Sequence, residues 1–559
     1  MTVNQAQATS EPASWFWCWV RAILLGFGAN HVYTLGARAH DDSLTIISAL
    51  LWLFAVSQAL RGMKAWGDAA AFRSLYREAH RKSQSSTDHG AARWASVKDL
   101  RKAGMLKSNK STGIFLGQLK GKPIYHNGEG SILALAGPGQ GKTTALAAIH
   151  LLANKTSTIV IDPKGELYAT THRQRERMGH RVIGIAPWAD EMREQSGGKL
   201  KLVDDGFDPC HFLDAGASSV IDDAKLLAAL LIPDSGAATE TSSYFKNLSR
   251  EILSTFMLLG LERKGSVTLP ELRAMLMASD EELSLAFGEM ATSTAFSGVL
   301  AQNGKRLSSP FMNAPKEWAA GHGGACDAVA AYDAYGLLGR SVRKQGYDFR
   351  CFRDRPTTVY IVIPPDRIAT HGETWLATCI TVAQELIARD RRPSKVTMLI
   401  DELQNLGRQE QLLRGLALYR GAGIRYVFLV QFVSALQRLY GPSWREFLGC
   451  EVVMAFGASS DIETLKLLSE LAGHETFAQS SFSEQANGVQ GERPGFSTST
   501  GNQGRPLLRP EDIRTLGKDQ ILAFVGTLPP ILARKVSYLK WPQLRRRADR
   551  NPYYRKRWW

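Results

Sequence analysis

Eight short apolar runs constrain this chain more than any other feature. They are SILALA (131–136), STIVIDP (157–163), RVIGIAP (181–187), TTVYIVIPP (357–365), VTMLIDE (396–402), RYVFLVQ (425–431), EVVMAFG (451–457) and QILAFVG (520–526). None alternates strictly between apolar and polar residues, so each reads as a strand buried on both faces. Helical patterns follow several of them. The fold class this predicts is α/β, a mainly parallel sheet with helices packed outside it. At 559 residues the chain is also too long for one ordinary core, and more than one domain is expected.

Between the third and fourth runs the strand pattern stops. The stretch 217–343 holds AKLLAALLIP, YFKNLSREILSTFMLLGLE and LPELRAMLMASDEELSLAFGEM, with apolar residues at three- and four-residue spacing. Pro270 sits near a helix start and Asp280 at an expected N-cap. An all-α domain inserted in the sheet domain is therefore expected. The resulting boundaries are 1–82 for a membrane anchor, 83–109 for a polar linker, 110–216 and 344–545 for the two parts of the sheet domain, and 546–559 for a tail. Residues 478–504 are polar and glycine-rich, which predicts a flexible loop.

The anchor rests on two apolar stretches, about 15–36 and 44–60. The second has no charged residue and would span roughly 26 Å as a helix, close to the hydrocarbon thickness. The first contains Arg21, which costs about 2.5–3.5 kcal/mol at a helix centre but snorkels when near an end. Arg61, Lys64, Arg73, Arg77, Arg81 and Lys82 follow the second stretch, and Asp41 and Asp42 lie between the two. That asymmetry predicts a two-helix hairpin with both termini and the large body on the cytoplasmic side.

The chemistry begins at the first run. Ala136, Gly137, Pro138, Gly139, Gln140, Gly141, Lys142 and Thr143 fit [AG]-x-x-x-x-G-K-[ST], with Thr144 next and Ala136 where the first glycine is usual. Successive backbone N–H groups at a helix start cradle phosphate oxygens. Lys142 would reach the β- and γ-phosphates of ATP, and Thr143 would ligate Mg²⁺. A magnesium-managing carboxylate is needed on a neighbouring strand, and two runs end in one: Asp162, and Asp401 followed by Glu402. The adjacent pair divides the labour, Asp401 for the Mg²⁺ shell and Glu402 for the attacking water. Asp162 is followed by proline and reads better as a turn or cap residue. Gln431 ends the next run, where an amide senses the γ-phosphate or orients water.

The net charge of +15 favours an anionic partner such as nucleic acid or a phospholipid face. In the tail, LRRRADRNPYYRKRWW interleaves basic and aromatic residues, which suits base stacking, anionic lipid or a solvated end equally. Six cysteines without C-x-x-C spacing and twelve histidines without a ligand cluster point to neither a disulfide framework nor a transition-metal site.

Together, LAGPGQGKTT, IVIDPKGELY, MLIDELQNLG and VQFVSALQRLYG resemble the type IV secretion coupling protein family, the TraG/TraD-type conjugation ATPases, over about residues 110–545. The resemblance implies a RecA-like P-loop domain with an inserted all-α domain, assembled as a homo-hexameric, multi-pass ATPase of the bacterial inner membrane. Such a protein receives a relaxase–DNA complex, the DNA expected single-stranded, or protein effectors, and passes them to the type IV secretion channel. The resemblance places Lys142 and Thr143 at the nucleotide site, Asp401 and Glu402 at the Walker B position, and Gln431 at the sensor. Arg420 falls on the arginine offered to a neighbouring subunit's site. A hexameric DNA pump and a nucleotide-binding platform with little turnover are the competing expectations.

Overall fold

The computed structural model describes residues 12–39, 42–61, 63, 90–108, 113–234, 240–344, 346–485 and 495–553. They fall into two compact units. One comprises the N-terminal residues through Ala92 together with Gly473–Leu507, and the other comprises Arg93–Ala472 with Leu508–Trp559.

In the first unit both N-terminal apolar stretches are helices, Pro12–Ala39 and Asp42–Arg61. The Ser48 hydroxyl donates to the Ala29 carbonyl at 2.9 Å, and a side chain at Gly26 would meet the Trp52 ring. The two helices therefore lie against each other as a hairpin. Asp42–Arg61 is long and apolar enough to cross a membrane by length and composition. Its Ile46, Leu50, Leu53, Phe54, Val56 and Leu60 are exposed, an arrangement suited to hydrocarbon and costly in water. Of the linker expected at 83–109, residues 90–108 are described; they include the short helix Val97–Lys102, and Ala95, Leu100 and Met105 are buried.

Of the stretch expected as a flexible loop, 478–504, residues 486–494 lie outside the described residues, and the described parts on either side are strands. His474–Gln485 and Gly495–Pro506 form two antiparallel strands, paired from His474 with Pro506 to Gln485 with Gly495. Its base is secured by Ala92 N–H donating to the His474 carbonyl at 3.0 Å and Thr476 N–H to the Gly90 carbonyl at 3.0 Å. A polar sequence does rule out a core here, but a two-stranded ribbon needs none: its facing backbone groups pair with each other and its outward ones are left to water.

The second unit is built on an eleven-stranded sheet. In chain order its strands are β1 (Ile114–Leu119), β2 (Lys122–His126), β3 (Ile132–Leu135), β4 (Ser157–Ile161), β5 (Arg181–Ile185), β6 (Thr357–Ile361), β7 (Val396–Ile400), β8 (Ile424–Val430) and β9 (Val452–Phe456). With the ribbon strands numbered β10 and β11, β12 (Gln520–Val525) and β13 (Ile531–Arg534) complete it. The spatial order is β2-β1-β13-β12-β9-β3-β8-β7-β4-β6-β5. From β9 through β5 every pairing is parallel, and from β9 outward through β12, β13, β1 and β2 every pairing is antiparallel. All eight apolar runs are strands. β3, β6, β7, β8 and β9 are buried at every position, as continuous apolar strands covered on both faces must be.

Between β5 and β6 the described chain is helical, with no strand. Glu240–Lys264 is its longest helix, and Leu269–Leu276, Asp280–Thr292, Val299–Asn313 and Pro315–Val329 surround it. Thr268 with Glu271 and Ser279 with Glu282 form capping boxes at two of these helix starts. The second N-cap is thus Ser279, one residue before the expected Asp280, because the serine hydroxyl reaches the Glu282 N–H. The insertion is tied to the sheet side by Asp208, which accepts the Leu269 N–H at 3.1 Å, and by Asp223, which pairs with Arg389 at 2.6 Å.

Candidate nucleotide site

The phosphate loop follows β3, a central strand held between β8 and β9. Ala136 continues that pairing, its N–H donating to the Val430 carbonyl at 2.9 Å. It is buried, so the missing first glycine leaves the loop's path intact. Gly139 and Gly141 turn the chain at φ +71° and +81°, a region glycine enters without a Cβ penalty. Gly137 lies under Phe432, and Pro138 continues the turn from it. The chain then enters a π-type helical turn at Thr143–Ala147 that leads into the helix Ala148–Ala153. Thr144 caps back onto the Gly141 carbonyl at 3.2 Å. Unforeseen from the sequence, the Lys535 ammonium donates to the Gln140 carbonyl at 2.8 Å and fixes the loop from the β13 side.

Lys142 is buried at the start of this helical turn. Burial lowers its pKa, while Asp401 and Glu402 act in the opposite direction. The two carboxylates arrive from β7, which ends at Ile400, two strands from β3. Asp401 Oδ2 accepts from the Thr143 hydroxyl at 3.3 Å. Burial pushes the Asp401 carboxyl up to about 6, moderated by Lys142. Glu402 has φ +51°, a left-handed conformation that a non-glycine residue holds only against a cost of about 1–2 kcal/mol. Its carboxylate has two partners: Lys164 Nζ at 2.7 Å on Oε1 and Asn405 Nδ2 at 2.9 Å on Oε2.

Asp162, the rival carboxylate, directly follows β4, on the far side of β7. Its Oδ2 accepts the Tyr168 N–H at 2.9 Å, and its backbone carbonyl accepts the Gly165 N–H at 3.2 Å. It thus organises the turn into the helix Glu166–Arg177. Its Oδ1 is buried without a partner, and burial pushes the carboxyl up to about 7. Gln431, just past β8, shares a small cavity with Leu135, Ala136, Gly137, Ser459 and Thr464, and its N–H donates to Gln404 Oε1 at 3.3 Å.

Arg420 is elsewhere. It precedes β8, is 66% exposed, and approaches Glu451, which precedes β9, at 3.8 Å. Because β8, β3 and β9 run parallel, Arg420 sits at the opposite strand edge from the loop, about 20 Å away by strand length. The structure therefore brings together the loop, Asp401, Glu402 and Gln431 and leaves Arg420 out of the site formed by its own chain. Lys164, Asn405 and Lys535 join the site unannounced. Lys164 stood in the quoted DPKGEL motif, whereas nothing in the spacing marked Lys535.

The donor set fits a magnesium–nucleotide. Glycine-shaped turns expose N–H groups, a buried lysine supplies charge, and a hydroxyl lies beside one carboxylate. Magnesium needs no more protein ligands than these, since phosphates and water complete its octahedron.

Comparison with known proteins agrees with this geometry. Residues 93–556 match the family model described as type IV secretory system conjugative DNA transfer. Protein VirD4 of Agrobacterium fabrum (strain C58 / ATCC 33970) is 26% identical over 478 residues, covering 82% of this chain and 67% of VirD4. The conjugal transfer protein TraG of Escherichia coli is 25% identical over 519 residues, covering 82% of this chain and 78% of TraG. Among solved structures, the plasmid coupling protein TrwB in complex with the ATP analogue ADPNP superposes with a TM-score of 0.55 at 16% identity, covering 80% of this chain and 93% of TrwB. TrwB in complex with ADP and Mg²⁺ gives the same score. The likeness to TrwB is one of fold. The family match spans most of the chain, and the protein belongs to the type IV secretory system conjugative DNA transfer family.

Proposed function

We propose that this chain is the coupling ATPase of a conjugative DNA transfer system, which binds ATP with Mg²⁺ and couples its hydrolysis to passage of DNA toward a type IV secretion channel. The observation that carries the reading is the convergence of Lys142, Thr143, Asp401 and Glu402 from two strands 258 residues apart in sequence. ATP supplies the transferable phosphoryl group, and Mg²⁺ neutralises charge on its oxygens. The loop from Ala136 to Thr144 orients the phosphates with backbone N–H groups. Lys142 places a positive charge where negative charge develops. Thr143 and Asp401 hold the metal side, Glu402 accepts a proton from the attacking water, and Gln431 orients that water.

Arg420 faces away from its own loop, so it serves as an arginine finger only from one subunit to the next. That supports a ring, and the family points to a homo-hexamer. The hairpin of Pro12–Ala39 and Asp42–Arg61 anchors the ring in the inner membrane as a multi-pass protein with the large unit in the cytoplasm. The DNA arrives single-stranded with its relaxase. The basic excess of the chain suits a phosphate backbone.

The test is ATP hydrolysis by the detergent-solubilised full chain with and without single-stranded DNA. Stimulation by DNA that disappears in Lys142→Ala supports the proposal. Turnover indifferent to DNA would assign the protein to effector delivery instead.

A further inference from the structure

The left-handed backbone of Glu402 is held by its N–H, which donates to Asp401 Oδ1 at 3.0 Å, and its side chain is met by two donors. Asn405 is local, three residues on. Lys164 is not: it comes from the turn between β4 and the helix Glu166–Arg177. Although the Lys164 side chain is 51% exposed, Glu402 is only 12% exposed, which leaves the lysine as the solvent-side wall of the carboxylate.

The turn that carries Lys164 is held in turn by the end of the chain. The Tyr553 hydroxyl donates to the Lys164 carbonyl at 2.7 Å. Asn551 Nδ2 donates to Glu166 Oε1, the Asp549 N–H to the Thr170 carbonyl at 2.9 Å, and Arg173 pairs with Asp549 at 2.8 Å. Residues 549–553 thus run along the Lys164 turn and its helix as a strap. Tyr553 is the last described residue before Tyr554, Arg555, Lys556, Arg557, Trp558 and Trp559.

We propose that Lys164 is a positioning residue for the Glu402 carboxylate, and that the C-terminal strap sets Lys164 through Tyr553. The path from the strap to the catalytic base is one residue long: hydroxyl to Lys164 carbonyl, Lys164 ammonium to carboxylate. This inference rests on Glu402 acting as the base.

The experiment is steady-state ATPase kinetics of the full chain in detergent, with ADP affinity measured by calorimetry. Displacing a reacting group by about 1 Å costs on the order of 10²-fold in turnover. Lys164→Met is expected to lower kcat about 10–100-fold with KM and ADP affinity within twofold, since it frees the base to move without removing a contact to the nucleotide. Lys164→Arg, which keeps a donor, should recover turnover to within about fivefold of the parent. Tyr553→Phe, which deletes one hydroxyl and folds regardless of Lys164, should lower kcat about two- to fivefold with KM unchanged. On a Glu402→Gln background, Lys164→Met should add no further loss.

Unchanged kcat in Lys164→Met, or a raised KM at unchanged kcat, would overturn the proposal. So would full additivity with Glu402→Gln. Full turnover in Glu402→Gln itself would instead overturn the reading of the base, and the two failures are distinguishable.

Discussion

Replacing Arg175 by methionine probes the frame on which the site is mounted. Arg175 is fully buried, and among the described residues it forms no ion pair with a carboxylate. Its guanidinium is met by neutral acceptors: Thr358 Oγ1 at 2.8 Å, the Thr156 carbonyl at 2.6 Å, His180 Nδ1 at 3.1 Å, and the carbonyls of Asn154 and Leu151. Leu151 lies in the last turn of the helix that follows the phosphate loop, where carbonyls lack intrahelical partners and a cation is favoured. Burial lowers the Arg175 pKa to about 10, so it is charged at neutral pH. Methionine fills much of the volume but donates nothing, leaving several buried acceptors unpaired. At about 1–3 kcal/mol for each group left unsatisfied, offset by relief of a desolvated charge, the net loss is about 3–5 kcal/mol. For a unit of more than 400 residues, at about 2.1 cal/mol/K of unfolding entropy per residue, that is a fall of about 3–6 °C in thermal midpoint. Circular dichroism melting of the solubilised protein measures it, with Arg175→Lys expected to fall between the two. A fall under about 2 °C would refute the claim that this guanidinium holds the helix after the loop, β4 and the DPKGEL helix together.

Asp162→Asn tests the assignment of that carboxylate to structure. Its native carboxyl titrates at about 7, well above an unfolded aspartate, so the native state binds its proton more tightly. Raising the pH from about 4 through 7 therefore lowers stability, and the asparagine variant should lose about 1–3 kcal/mol less than the parent over that window while keeping kcat within a few-fold. A parallel pH–stability curve, or loss of turnover by orders of magnitude, would contradict this. Lys535→Met removes the charged donor from the Gln140 carbonyl, and KM for ATP should rise about three- to tenfold with little change in kcat, a result read from steady-state kinetics. Unchanged KM would show that the loop holds its shape without β13.

The parallel half of the sheet was legible because its strands are buried on both faces and announce themselves as continuous apolar runs. Of the antiparallel part, β12 was legible in the same way, and β1, β2 and β13 were not. β1 and β2 carry glycine, lysine and proline, β13 is four residues long, and their pairing is fixed by tertiary context instead of composition. The ribbon at His474–Pro506 was hidden for the opposite reason, since a polar stretch reads as a loop until its partner strand is known. Within the site, Lys142, Thr143, Asp401, Glu402 and Gln431 follow from motif and strand-end position. The Lys164–Glu402 contact spans 238 residues and Lys535–Gln140 spans 395, separations at which no local spacing carries a signal. Arg420 was legible as a motif residue, but its place at the opposite strand edge needed the sheet order.

The central claim is that hydrolysis at this loop drives conjugative DNA transfer. Its most direct measurement is transfer frequency of a marked plasmid from donor cells in which Lys142→Ala replaces the parent protein at equal abundance in the membrane. Loss of the lysine removes charge stabilisation worth about 10²–10³-fold or more in turnover, and transfer is expected to fall by at least that factor. Transfer at the parent frequency would contradict the account.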